Sequence, residues 1–224
     1  MRAALYYAPP DGTPLARLAA NWLGRDAVTG EATREPDPRL DPLVAEPARY
    51  GFHATMKAPF RLAENRKLAG LDESLAAFCA ARGAAMIERL ALARIGRFFA
   101  LVPGGPHPDL AALADEAVRA FEPFRAPLDE AEIARRAPER LTPRQRALLG
   151  EWGYPHVFDE FRFHMTLTGP VPDGDAAAIE AQLAERFASV VGRPLAVDSL
   201  ALFVEPEPGA PFRLHSRHPL ASDR

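Results

Sequence analysis

The sequence predicts an α+β fold built by duplication, with two antiparallel sheets flanked by helices. Three observations lead there. An aromatic-His-x-Thr phrase occurs twice, as Phe52-His53-Ala54-Thr55 and Phe163-His164-Met165-Thr166, 111 positions apart (164 − 53). Strand-like alternation and helix-like spacing succeed each other along the chain. Their order runs strand, helix, His strand, helix, strand pair, and then roughly repeats. Two such lobes with facing sheets would set the two His strands opposite one another. The 224 residues suit a single domain over 1–224 made of two pseudo-repeats.

Met1 to Ala8 reads as a first strand. Thr13 can cap a helix with Pro14 at its first position, and Gly24 ends it. Residues 25–49 carry Pro36, Pro38, Pro42 and Pro47 and read as an excursion rather than packed structure. The first His strand follows, near 51–60. Leu68, Leu71, Leu75, Phe78 and Cys79 then fall at helical spacing, with Gly83 as the stop. Residues 86–102 predict two strands, or one bent at Gly96. Leu110, Leu113, Ala117, Val118 and Phe121 mark another helix.

Residues 123–156 form a second excursion, rich in Arg and Pro. Thr142-Pro143-Arg144-Gln145 within it is a capping box opening a helix to Gly150. The second His strand lies near 161–170. A helix through Ile179, Leu183, Phe187 and Val190 follows, then a strand over 195–204 and a last strand at FRLHS.

Composition narrows the function. A 48% hydrophobic and 25% charged chain buries a core without staples. Its formal net charge of −3 argues against an extended nucleic-acid partner, which needs a broad basic surface. No run of 18 apolar residues is present, so no membrane association is expected. The N-terminal apolar stretch is too short, and too soon broken by Pro9-Pro10, for a signal peptide. Cys79, the single cysteine, reads as a small buried hydrophobe and fits a reducing cytoplasm.

Strand alternation places His53, Thr55 and Lys57 on one face of the first segment, and Arg162, His164, Thr166 and Thr168 on one face of the second. Two imidazoles with pKa values near 6.5 suit acid–base chemistry, one ring neutral and the other protonated. At a phosphodiester the neutral ring takes a proton from water, and the protonated ring gives one to the leaving oxygen. Thr55 and Thr166 can donate to the non-bridging oxygens. Lys57 and Arg162 add positive potential or are solvated strand charges. Thr168 belongs to the same phosphate-facing row.

The paired motifs His53-Ala54-Thr55 and His164-Met165-Thr166 resemble the two-histidine phosphoesterase superfamily, whose members include cyclic phosphodiesterases and RNA 2′,3′-cyclic phosphate enzymes. The words YGFHATMKAPF and GYPHVFDEFRFHMTLTG are similar to a branch linked to phosphonate metabolism. The resemblance implies a bilobal fold with a central cleft between the lobes and catalysis without metal or other cofactor. It also implies a phosphoric diester hydrolase acting on a small cyclic phosphate of a ribose or nucleotide. The inserts at 25–49 and 123–156 depart from compact members and would roof the cleft.

Other residues admit more than one reading. Tyr50 either packs in the core or stacks on a substrate ring, and His156 would line the cleft. His215 and His218 could join His53 and His164 in a metal site, but residues i and i+3 of a strand point to opposite faces. His107 reads as a loop residue. The basic stretch Arg135 to Arg146 motivates an alternative, an RNA-end or nucleotide binding module without turnover.

Overall fold

The computed structural model describes residues 1–221. Alternation in RAALYY makes strand β1 (Arg2–Tyr7). Its Ala3, Leu5 and Tyr7 enter the main core, and Ala4 and Tyr6 enter a smaller cluster on the opposite face. Thr13 caps α1 (Pro14–Leu23), its hydroxyl accepting from the Ala16 N–H at 3.3 Å, and Gly24 ends the helix at φ 76°.

The first excursion is not structureless. It contains α2 (Asp41–Tyr50), with Pro42 in the first turn and Pro47 inside. Pro47 has no N–H for the carbonyl of Leu43, four residues back. That carbonyl instead accepts from Gly169 N–H at 2.6 Å, just beyond the second His-x-Thr motif. The proline that speaks against a helix therefore frees the group that ties α2 to the motif.

Strand β2 (Ala54–Phe60), helix α3 (Leu68–Ala80) and the short β3 (Ala85–Ile87) follow. Residues 90–103 form a hairpin of β4 (Leu90–Ile95) and β5 (Phe98–Pro103), turned at Gly96 with φ 57°. Helix α4 (Pro108–Ala120) leads into the second excursion, which holds α5 (Glu130–Ala134) and α6 (Pro143–Trp152). The Thr142–Gln145 capping box forms, but α6 runs past Gly150 and stops at Gly153, the residue in the left-handed conformation. Strand β6 is only Met165–Thr166; α7 (Asp173–Arg186), β7 (Leu195–Val197), β8 (Ser199–Glu205) and β9 (Arg213–Pro219) complete the chain.

Seven strands form one antiparallel sheet in the order β4-β5-β6-β2-β1-β8-β9, and β3 pairs with β7 in a second. The order β1-α1-β2-α3-β3-β4 is answered by β5-α4-β6-α7-β7-β8. The equivalent strands β2 and β6 are neighbours at the centre of the large sheet. The fourth strand of each half joins the other half: β4 pairs with β5, and β8 with β1. The fold is α+β with two antiparallel sheets, but the two His segments lie side by side in one sheet rather than on facing sheets. One face of that sheet buries the main core, with Leu15, Trp22, Leu71, Phe78, Leu113 and Leu183 supplied by helices. The other face carries the site.

Candidate active site

The center of the large sheet sets the geometry. Ala54 pairs with Met165 in antiparallel register. Continued one residue each way, that register puts His53 across from Thr166, and Thr55 across from His164. The four side chains make a crossed quartet on one face, with the histidines as diagonal neighbours about 7–8 Å apart at Cα. Tyr6 pairs with Thr55 and Ala100 with Thr166, which brings Tyr6 and Phe98 to the same face.

Each imidazole is oriented by its own backbone. His53 Nδ1 donates to the Gly51 carbonyl at 2.9 Å, and His164 Nδ1 to the Arg162 carbonyl at 2.7 Å. Both rings are thus left with Nε2 for chemistry. His53 Nε2 accepts from the Thr55 hydroxyl at 3.2 Å. Gly51 is needed for this arrangement. It sits at φ 78°, and a Cβ there would lie 2.5 Å from Ala27 Cβ.

The environments of the two rings differ. His53 stacks on Tyr6 with centroids 3.7 Å apart, and burial lowers its pKa to about 4. The Gly51 hydrogen bond opposes that shift, and His164 adds to it, so the two imidazoles sense each other's charge. His164 lies 5.8 Å from the Phe98 ring.

Two cavities open over the quartet. One, about 310 Å³, contains His53, Thr55, Thr166 and Thr168 in its wall; the other, about 420 Å³, contains His164, Thr55, His156 and Arg162. Thr55, Ala58, Phe98 and Tyr154 line both.

The remaining expected residues divide. Arg162 is exposed and borders the His164 cavity. His156, an exposed residue, lines that cavity, and partial loss of hydration there lowers its pKa. Tyr50 ends α2 rather than belonging to a strand, and its ring stacks on Phe212 at 5.2 Å beside His53. Thr168 is buried, and its hydroxyl accepts from the Phe99 N–H at 3.0 Å, so it fastens β5 as well as lining the cavity.

Lys57 does not reach the site. The register slips between Tyr6–Thr55 and Leu5–Lys57, leaving Met56 as an extra residue in β2. Such a bulge breaks the alternation of faces. Lys57 therefore follows Leu5 to the core side, where Nζ bonds Glu122 at 2.8 Å and the Val118 carbonyl at 3.1 Å. The His215–His218 metal alternative also fails on geometry. His218 Nε2 bonds Asp72 at 2.7 Å on edge strand β9, with β8 and β1 between it and the His53 strand. Among the described residues, no three His, Cys, Asp or Glu side chains converge as a metal set.

Other groups at the site carry no local sequence signal. Tyr6, Arg2, Tyr154 and Arg136 line the His53 cavity, while Asp115, Gln145 and Glu160 line the other. Of these, Arg136 and Gln145 fall within the Arg135–Arg146 stretch, Gln145 as the capping-box residue of α6. Farther along that stretch, Arg144 pairs with Asp159 at 2.6 Å and Arg146 donates to the Leu141 carbonyl at 2.6 Å. Cys79 is buried, which pushes its thiol up to about 11.

Residues 55–213 match the family model described as "Protein of unknown function (DUF1045)". A protein of Janthinobacterium sp. (strain Marseille) named "Ribose 1,5-bisphosphate phosphokinase PhnN" is 40% identical over 230 residues, covering 98% of this chain and 51% of the relative. A protein of the same name from Laribacter hongkongensis (strain HLHK9) is 39% identical over 224 residues, covering 96% of this chain and 50% of the relative. The chain thus spans about half the length of these curated relatives. Among solved structures, E. coli LigT complexed with NADP+ or with 3′-AMP aligns over 98% of this chain at 14% identity and TM-score 0.44. By the family match over most of its length, the chain belongs to the DUF1045 family, and its paired His-x-Thr strands resemble the two-histidine phosphoesterases.

Proposed function

We propose that this protein is a metal-independent phosphoesterase that opens a cyclic phosphodiester on a small sugar or nucleotide, with a role in phosphonate metabolism. The observation that carries the proposal is the crossed quartet of His53, Thr55, His164 and Thr166 on one sheet face. His53 is held neutral by burial, so its Nε2 takes the proton of the attacking water. The water oxygen bonds to phosphorus, the ring P–O bond breaks, and His164 gives its Nε2 proton to the departing oxygen. The product is a phosphate monoester with a free hydroxyl. Proton exchange with solvent then returns both imidazoles to their starting states. Thr55 leaves its resting bond to His53 and, with Thr166, donates to the non-bridging oxygens.

The relatives' name supports a phosphorylated ribose as the sugar. They are about twice as long as this chain, and neither Lys57 nor Lys67, its two lysines, follows a glycine. A G-x-x-x-x-G-K-[ST] phosphate loop is therefore absent from this sequence. A cyclic phosphodiester on ribose 5-phosphate, opened here, would yield a ribose bisphosphate, the class of compound in the relatives' name. The dispersed pairing of the Arg135–Arg146 stretch favours this small-molecule reading over an RNA-end binding module.

His53→Ala and His164→Ala should each lower kcat/KM on cyclic phosphates by about 10²–10⁴, and EDTA should leave the wild-type rate unchanged. Full activity in both variants would remove the proposal.

A further inference from the structure

The His53 cavity holds more donor groups than the reacting phosphate uses. That phosphorus must lie between the two imidazoles. His164 does not line this cavity, and Tyr6, Tyr50, Arg2 and Arg136 do not line the His164 cavity. These groups therefore gather in the His53 cavity rather than in the His164 cavity.

They form a built site. Tyr6 is 1% exposed, yet its hydroxyl bonds no protein group among the described residues and faces the cavity. Tyr50 is fixed by its stack on Phe212, and Tyr154 lies beneath Arg136, whose guanidinium carbon is 4.9 Å from the ring centroid. The Arg136 side chain makes no ion pair or hydrogen bond among the described residues. Arg2 binds the buried Glu205 through Nε and Nη2, with Nη1 left over. The charges confirm the convergence: Tyr50 and Tyr154 raise the Tyr6 phenol further after burial has raised it, while Arg2 and Arg136 act to lower it. One carboxylate, Glu46, is exposed on the rim.

Arg136 belongs to the second excursion, and the excursion is anchored. Arg61, just after β2, grips Glu132 of α5 through two bonds of 3.0 and 2.9 Å. Ala137, the next residue after Arg136, is held in the left-handed region at φ 45°, where alanine is strained. The insert is thus fastened in a way that delivers one cation to the cavity.

We propose that Tyr6, Tyr50, Tyr154, Arg2 and Arg136 form a subsite for a second phosphate of the substrate, a monoester remote from the ring being opened. The inference rests on the phosphoesterase reading and sharpens it: the substrate carries a cyclic diester and a monoester, and the monoester lies on the His53 side. Guanidinium and phenol donors around a dianion give charge-assisted hydrogen bonds.

Two substrates test this: a cyclic phosphate of ribose 5-phosphate, and the same cyclic phosphate without the 5-phosphate. Wild-type kcat/KM should favour the first by about 10- to 100-fold, the range of one or two charge-assisted bonds. Arg136→Ala should collapse the ratio towards one, and Arg136→Lys should keep part of it. A wild-type ratio near one, or an equal loss on both substrates in Arg136→Ala, overturns the subsite while leaving the reaction intact. If neither compound is turned over, the reaction proposal fails and the subsite is decided by binding alone. Ribose 5-phosphate should then raise the melting temperature of wild type and not of Arg136→Ala; equal shifts, or none, overturn it.

Discussion

At the scale of single residues, the unequal surroundings of two identical side chains support the base and acid roles proposed for them. His53 lies against Tyr6, and its pKa falls to about 4, chiefly through burial. In kcat/KM, which reports the free enzyme, the acid limb should fall near that value rather than near the usual 6.5. A pH–rate profile, paired with NMR titration of the His53 ring, checks this; a limb near 6.5 that tracks His53 would reverse the base assignment. The same shift acts on stability. Between the unfolded value of 6.5 and about 4, the unfolded chain binds the extra proton, so stability is full above 6.5 and declines as pH falls through that window. His53→Gln should flatten that part of the profile. The motif histidines and threonines were legible because each carries its chemistry in its side chain. Tyr6 was not, because RAALYY reads only as an alternating strand; that its even residues look onto His53 depends on a partner strand far along the chain.

At the scale of elements, the departures from sequence expectation have local physical causes. The helices were readable from spacing and caps: Thr13, Gly24 and the Thr142–Gln145 box all act as their residue types suggest. Helix α2 was hidden by prolines, which vetoed a helix whose freed Leu43 carbonyl finds a tertiary partner in Gly169. The bulge at Met56 was hidden for a related reason. In the sequence alternation runs straight through β2, and only pairing with β1 reveals the extra residue. That correction is testable. Lys57→Met removes the buried ammonium, while Glu122 keeps Arg125 at 2.9 Å. The substitution should lower thermal stability by about 1–3 kcal/mol, because the Val118 carbonyl and Glu122 Oε2 lose their donor. It should leave kcat/KM on a cyclic phosphate within about twofold, since a residue out of contact with substrate contributes no transition-state bond. A loss of activity like that of His53→Ala, in a variant that still melts cooperatively, would return Lys57 to the site.

At the scale of the whole molecule, the duplicated order is legible in the sequence, whereas the exchange of strands between its halves is not. A repeat predicts two lobes, and two lobes suggest two units that close on each other. Here β8 completes the sheet beside β1, and β4 completes it beside β5, so each half extends the other's sheet. Strands β3 and β7 pair only with each other, again across the halves. A fragment ending at Gly96 would keep the β1–β2 pair but leave β4 without its partner β5 and the outer edges of β1 and β2 without β8 and β6, and its helices would cover an interrupted core. Neither 1–96 nor 97–221 should therefore show a cooperative thermal transition alone, although mixing or coexpressing them should restore one, along with turnover of a cyclic phosphate. The full chain should melt in a single step, with calorimetric and van't Hoff enthalpies equal. A sharp melt by either fragment alone would mean that the halves are independent units. The proposed catalytic quartet, which takes His53 and Thr55 from one half and His164 and Thr166 from the other, would then depend on docking rather than on folding.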